Sequence, residues 1–89
     1  MLTKELEIEE TITIEQKEKN LVVYNDDVNT FEFVIKTLIK VCEHDLIQAE
    51  QCTHIIHYKG RCSVKVGSEK KLVPVCTRLL NMGLTAQIE

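Results

Sequence analysis

The sequence predicts an α+β domain: three helices packed on one face of a small three-stranded antiparallel sheet, in the order β-α-α-β-α-β, behind a mobile N-terminal tail. Three observations lead there. Apolar residues recur at helical spacing in three stretches, each behind a capping residue. Short apolar or alternating runs at 21–24, 61–66 and 84–88 read as strands. Turn signals at Asn25-Asp26-Asp27, Asp45, Gly60, Gly67 and Gly83 leave only short links between them. With 89 residues, 44% of them apolar, the chain can bury one modest core, and no large enzymatic cleft is expected.

Taken in order, residues 1–20 hold six Glu against three Lys, with no Gly, Pro or aromatic. Residues 1–19 are therefore expected to be a flexible acidic arm ahead of a core domain at 20–89. The alternation Thr11-Ile12-Thr13-Ile14 suits a strand formed on docking. Leu21 to Tyr24 reads as the first strand. Asn29 is placed to cap the first helix, with Glu32 completing a capping box, and Phe31, Val34, Ile35, Leu38, Val41 and Cys42 form its apolar stripe as far as His44. Asp45 caps a second helix, supported by Gln48. Its expected stripe is Leu46, Ala49, Cys52, Ile55 or Ile56, and Tyr58, and Gly60 ends it. In the strand at 61–66, Cys62, Val64 and Val66 should face inward. Ser68 caps a third helix closed by Gly83, in which Pro74 should force a kink or a late start near Val73. Leu84 to Ile88 is the last strand.

Charge excludes some functions. Residues 21–89 carry eight acids and eight bases, and no basic cluster exceeds Lys70-Lys71, which argues against nucleic acid as a partner. No apolar run long enough for a membrane span or a secretion signal is seen, so a soluble, cytoplasmic protein without a membrane partner is expected. In that compartment Cys42, Cys52, Cys62 and Cys76 should be free thiols. A small metal-binding protein is an alternative, because Cys42-Glu43-His44 and Cys52-Thr53-His54 recur with His57 and Cys62 nearby. Residues two apart on a regular helix diverge, however, and no metal or other cofactor is expected.

The chemistry gathers at two segments. Asn25-Asp26-Asp27, before a helix, is dense in acceptors, and His57 ends a second helix that could fold back onto it. Three acceptors from Asn25, Asp26 and a neutral imidazole at His57 match the three donors of an ammonium group. Phe31, Val34 and Thr53 could line an apolar hole for the adjoining side chain. Catalysis fits worse: no oxyanion hole or strained nucleophile turn surrounds any Cys, and the chain is not expected to be an enzyme.

The stretch LVVYNDDVNTFEFV, the downstream AEQCTHIIHYKGRC and the closing GLTAQIE together resemble ClpS, the adaptor that recognises N-degrons for a Clp AAA+ protease. The resemblance covers nearly all of 20–89. It implies that Asn25, Asp26 and His57 hold a substrate's α-amino group. Asp27, Asn29, Phe31, Val34, Thr53, Ile56 and Leu84 would then form a pocket for a first residue that is Leu, Phe, Tyr or Trp. It also implies a ClpA- or ClpC-type unfoldase as partner and a role for the arm in handing substrate over. The chain departs from the family pattern in three places. Asn29-Thr30 stands where Thr-Pro is common, Phe31 and Thr53 stand where methionines line the pocket, and the region of the third helix is short. An interaction domain similar to the ribosomal stalk protein's C-terminal domain is a second alternative, although Lys36 and Lys40 give only a sparse version of its Lys-rich helix face.

Overall fold

A computed structural model describes residues 17–89, so all but the last three residues of the expected arm, including the run at 11–14, lie outside the described residues. The elements follow the expected order: β1 (Glu18–Tyr24), α1 (Phe31–Cys42), α2 (Leu46–Lys59), β2 (Arg61–Ser68), α3 (Glu69–Asn81) and β3 (Thr85–Ile88). The strands form one antiparallel sheet in the order β2-β1-β3, and the three helices cover one of its faces. Among the described residues no helix is long and apolar enough to cross a membrane.

β1 is the central strand, which explains its unbroken apolar run. Leu21, Val22 and Val23 are all buried, but only Leu21 and Val23 join the core under the helices. Val22 faces the other side, opposite Ser63 and Gln87. A polar lattice lies on that face. Ser63 donates to the Asn20 side chain, Tyr24 donates to the Glu89 carboxylate, and Arg61 lies over the Tyr24 ring while pairing with Glu89 at 2.7 Å. The hydrogen bond to Glu89 raises the Tyr24 pKa, and the same bond lowers that of Glu89. The strand begins at Glu18 rather than 21 because β2 continues to Ser68 and supplies partners for Glu18, Lys19 and Asn20.

β2 departs from simple alternation. The register slips between Leu21 and Val22, leaving Val64 without a facing residue, and this bulge moves every later β2 side chain to the opposite face. Val64 is buried as expected. Val66 pairs with Asn20 on the outer face and is 52% exposed, against the expectation that it turns inward. The bulge carbonyl is not orphaned: the buried His44 ring donates from Nε2 to Val64 O at 2.6 Å, leaving Nδ1 without a partner.

The helices show what periodicity predicts well and badly. α1 buries Val34, Thr37, Leu38, Val41 and Cys42. Its cap is Thr30, not Asn29: Thr30 Oγ1 accepts from Phe33 N at 3.1 Å, and the expected Asn29–Glu32 box does not form. The helix stops at Cys42, where Glu43 turns left-handed, rather than at His44. Asp45 caps α2 as expected by accepting from Gln48 N at 2.7 Å, and Gly60 ends it with φ +93°. The buried stripe of α2 is Ala49, Thr53 and Ile56. Leu46 and Tyr58, expected inside, are 57% and 76% exposed, because the face that meets α1 passes through Thr53. Thr53 enters the core by donating its hydroxyl proton to Ala49 O at 2.7 Å, four residues back. α3 runs unbroken through Pro74 from its cap at Ser68, with no late start at Val73. The ring removes the hydrogen bond to Lys70 O, and both residues sit on the exposed side, where water can serve that carbonyl.

Candidate functional site

The turn from Asn25 to Thr30 is built around one carboxylate. Asp26 Oδ1 accepts from Val28 N at 2.9 Å and Asn29 N at 2.8 Å, while Oδ2 accepts from Asn29 Nδ2 at 2.8 Å. The Asn29 backbone N–H, aided by its side-chain amide and by Val28 N–H, holds the Asp26 carboxyl below its usual range despite partial burial. It is anionic at neutral pH. A carboxylate has about four lone-pair sites, and the three bonds named here leave room for one more donor.

Two anchors hold this turn to the rest of the fold. Asn25 N donates to Gly60 O at 2.9 Å, and the second proton of Asn29 Nδ2 goes to Gly83 O at 2.8 Å. Both glycines have φ +93°, a left-handed conformation that admits glycine without strain. The ends of α2 and α3 are therefore fastened to the same turn. Asn29, expected as a helix cap, is instead the bridge between Asp26 and Gly83.

Between the turn, α1 and α2 lies a small depression of about 30 Å³. Its rim is Asn25, Asn29, Phe31 and His57, and its floor is the buried Val34, Thr53 and Ile56. Seven of the ten sequence-derived site residues thus meet at one place, drawn from a turn and two helices. Asp26 is half-buried beside Asn29 but does not line the hollow. Asp27 points to solvent, and Leu84 is 4% exposed within the core, so neither forms its wall. A wider open groove of about 560 Å³, bordered by Glu18, Val66, Gly67, Ser68 and Lys71, lies apart from these residues.

Sequence reasoning missed the aromatic group at the rim. The Phe31 ring meets His54 edge-on at 4.7 Å and His57 at 6.3 Å, His54 stacks on Tyr58 at 6.0 Å, and His57 meets Tyr58 edge-on at 5.0 Å. The signal was present in the spacing of His54, His57 and Tyr58 on one helix, which sets His54 three residues from His57 and four from Tyr58, on neighbouring turns.

The thiols offer little chemistry. All four are free, and burial pushes Cys42 up to about 11 and Cys52, with Cys62 beside it, up to about 12. Burial also raises Cys76. Such thiols remain protonated and are poor nucleophiles. Among the described residues no three His, Cys, Asp or Glu side chains gather as metal ligands.

The hollow is shallow, edged by Asn25, Asn29 and His57 and backed by Val34, Thr53 and Ile56. Comparison with known proteins gives the family. The family model for "ATP-dependent Clp protease adaptor protein ClpS" matches residues 15–87. The ATP-dependent Clp protease adapter protein ClpS of Campylobacter jejuni (strain RM1221) is 32% identical over 88 residues, covering 92% of each chain. That of Thermosynechococcus vestitus is 35% identical over 66 residues, covering 73% of this chain and 70% of its own. The chain belongs to the ClpS family of Clp protease adaptors. This sets aside the stalk-domain and metal-binding alternatives, and an adaptor family agrees with a protein that is not an enzyme. The structure of Agrobacterium tumefaciens ClpS2 bound to L-phenylalaninamide shares the fold, with a TM-score of 0.78, 20% identity and coverage of 82% of this chain and 95% of that one.

Proposed function

We propose that this chain is an N-degron adaptor. It binds the free α-amino group and bulky hydrophobic side chain of a protein's first residue and delivers that protein to a Clp AAA+ unfoldase of ClpA or ClpC type, in the cytoplasm. Asn25, the free lone pair of Asp26 and an uncharged nitrogen of His57 accept the three ammonium protons. Phe31, Val34, Thr53 and Ile56 surround the side chain. Asp27 and Leu84 act from outside the hollow, Asp27 through charge and Leu84 by backing the wall from the core.

The observation that carries this reading is the convergence of Asn25, Asn29 and His57 on one hollow beside an anionic Asp26. Charge-assisted hydrogen bonds to an ammonium contribute roughly 1.5–3 kcal/mol each, which favours a charged amine over a neutral amide at this place. Support comes also from ClpS2, bound to L-phenylalaninamide, a molecule with a free α-amino group and a benzyl side chain. A hollow of about 30 Å³ holds little more than a water molecule at rest. In this reading the half-exposed Phe31 ring turns outward to admit the guest.

Fluorescence anisotropy with a peptide beginning in Phe tests the amine site. The free peptide binds and its N-acetylated form does not. Equal binding of both would end this reading. Delivery is tested by degradation of a Phe-initiated reporter by a Clp unfoldase and peptidase with and without the adaptor.

A further inference from the structure

The floor of the hollow is not uniformly apolar. Val34 and Ile56 offer only hydrocarbon, but the third residue that lines the floor, Thr53, carries a hydroxyl. The direction of its proton is fixed, because it donates to Ala49 O at 2.7 Å. The lone pairs of Thr53 Oγ1 are left to accept. Asn29 contributes no further proton, since both hydrogens of Nδ2 are engaged by Asp26 Oδ2 and Gly83 O. Thr53 thus brings to the floor of the hollow a hydroxyl whose proton is spent and whose acceptor capacity is not. On its rim stands the Phe31 ring, edge-on to His54 at 4.7 Å and to His57 at 6.3 Å.

We infer that Thr53 makes this site selective for an N-terminal tyrosine, whose ring lies against Phe31 and whose phenolic proton is accepted by Thr53 Oγ1. This rests on the adaptor reading given above and specifies its substrate. An entirely apolar floor would have the opposite effect: burying a phenol without a partner costs free energy, so phenylalanine would bind better. The sign of the preference between tyrosine and phenylalanine is thus set by one oxygen. Leucine has neither the ring for Phe31 nor the proton for Thr53, and it binds more weakly than either.

The test uses two peptides that differ only in a first residue of Tyr or Phe, measured by anisotropy against the full chain and against Thr53→Val, which keeps the shape and removes the oxygen. The wild-type protein binds the Tyr peptide about three- to tenfold more tightly, the range expected of one hydrogen bond. In T53V the Tyr/Phe affinity ratio falls to one or below, and Thr53→Ser retains the Tyr preference. Equal wild-type affinities, a Phe preference, or an unchanged ratio in T53V each overturn the inference, and the wild-type ratio alone decides it should T53V not fold. N-acetylated versions of both peptides separate the two levels. Loss of binding on acetylation together with equal Tyr and Phe affinities refutes only the role of Thr53, whereas binding that survives acetylation refutes the amine site itself.

Discussion

Replacing Asn29 by alanine removes two hydrogen bonds with one side chain, and both hold the turn that carries the site. Nδ2 donates to Asp26 Oδ2 and to Gly83 O, each at 2.8 Å. A bond to a charged acceptor contributes about 1.5–3 kcal/mol and one to a carbonyl about 0.5–1.5 kcal/mol. Asp26 is half-buried and Gly83 exposed, so water replaces much of both, and the expected net loss is about 1–2 kcal/mol of stability. For a domain this small that corresponds to a fall in Tm of roughly 4–16 °C. Urea unfolding followed by far-UV circular dichroism measures it. A second signature lies in the acid limb. Asp26 has a folded pKa below its ordinary value of 3.8, so its contribution is complete above that value and is lost as pH falls through the folded pKa. Asn29→Ala weakens the hydrogen bonding that lowers this pKa, and the loss of stability below about pH 4 becomes shallower than in the wild type. A variant within about 0.3 kcal/mol of wild type, with an unchanged acid limb, would refute the assignment of Asn29 as the bridge between Asp26 and Gly83.

Three further outcomes follow from the fold. Pro74→Ala restores the missing N–H in the middle of α3 and stabilises by about 1–2 kcal/mol in the same unfolding experiment, and destabilisation instead would show that the ring packs usefully. His44→Leu leaves the bulge carbonyl of Val64 buried without its donor and costs about 1–2 kcal/mol, while a neutral result would mean that the bulge persists without the ring. Burial raises Cys42 from 9.0 to about 11 and Cys52 to about 12, so the native state holds its thiol protons longer than the unfolded chain. Stability is then flat below about pH 9 and falls as pH rises toward 11, and these thiols react at least about a hundredfold more slowly with an alkylating reagent at pH 8 in the native protein than in urea. Rapid native labelling of both would contradict their burial.

Local chemistry accounts for much of what could be read from the chain alone. Asp45, Ser68 and Gly60 act where short-range hydrogen bonding and backbone freedom place them, because a cap is decided within four residues. The strand Leu21–Tyr24 was visible as an apolar run, yet its extension to Glu18 depends on a partner strand more than forty residues away. Val66 was misplaced because a bulge, invisible to a period-two pattern, reverses every side chain beyond it. In α2, apolar residues occur on several sides, so the pattern could not distinguish Tyr58 from Thr53 as the inward residue. The observed packing chose the side on which Ala49 lets α1 approach and Thr53 can satisfy its own hydroxyl.

The site divides in the same way. Sequence by itself determined which residue types come together in order: an Asn-Asp-Asp turn, a Phe and a Val one helical turn apart, and a histidine before the glycine that ends the next helix. Tertiary structure alone decided their division of labour. It spent three acceptor sites of Asp26 on the turn itself, diverted Asn29 from capping to bridging, put Leu84 in the core, and left Thr53 with its proton committed and its lone pairs free. Residue type fixes how many hydrogen bonds a side chain can make, whereas which of them remain for a guest depends on partners that only the folded chain brings within reach.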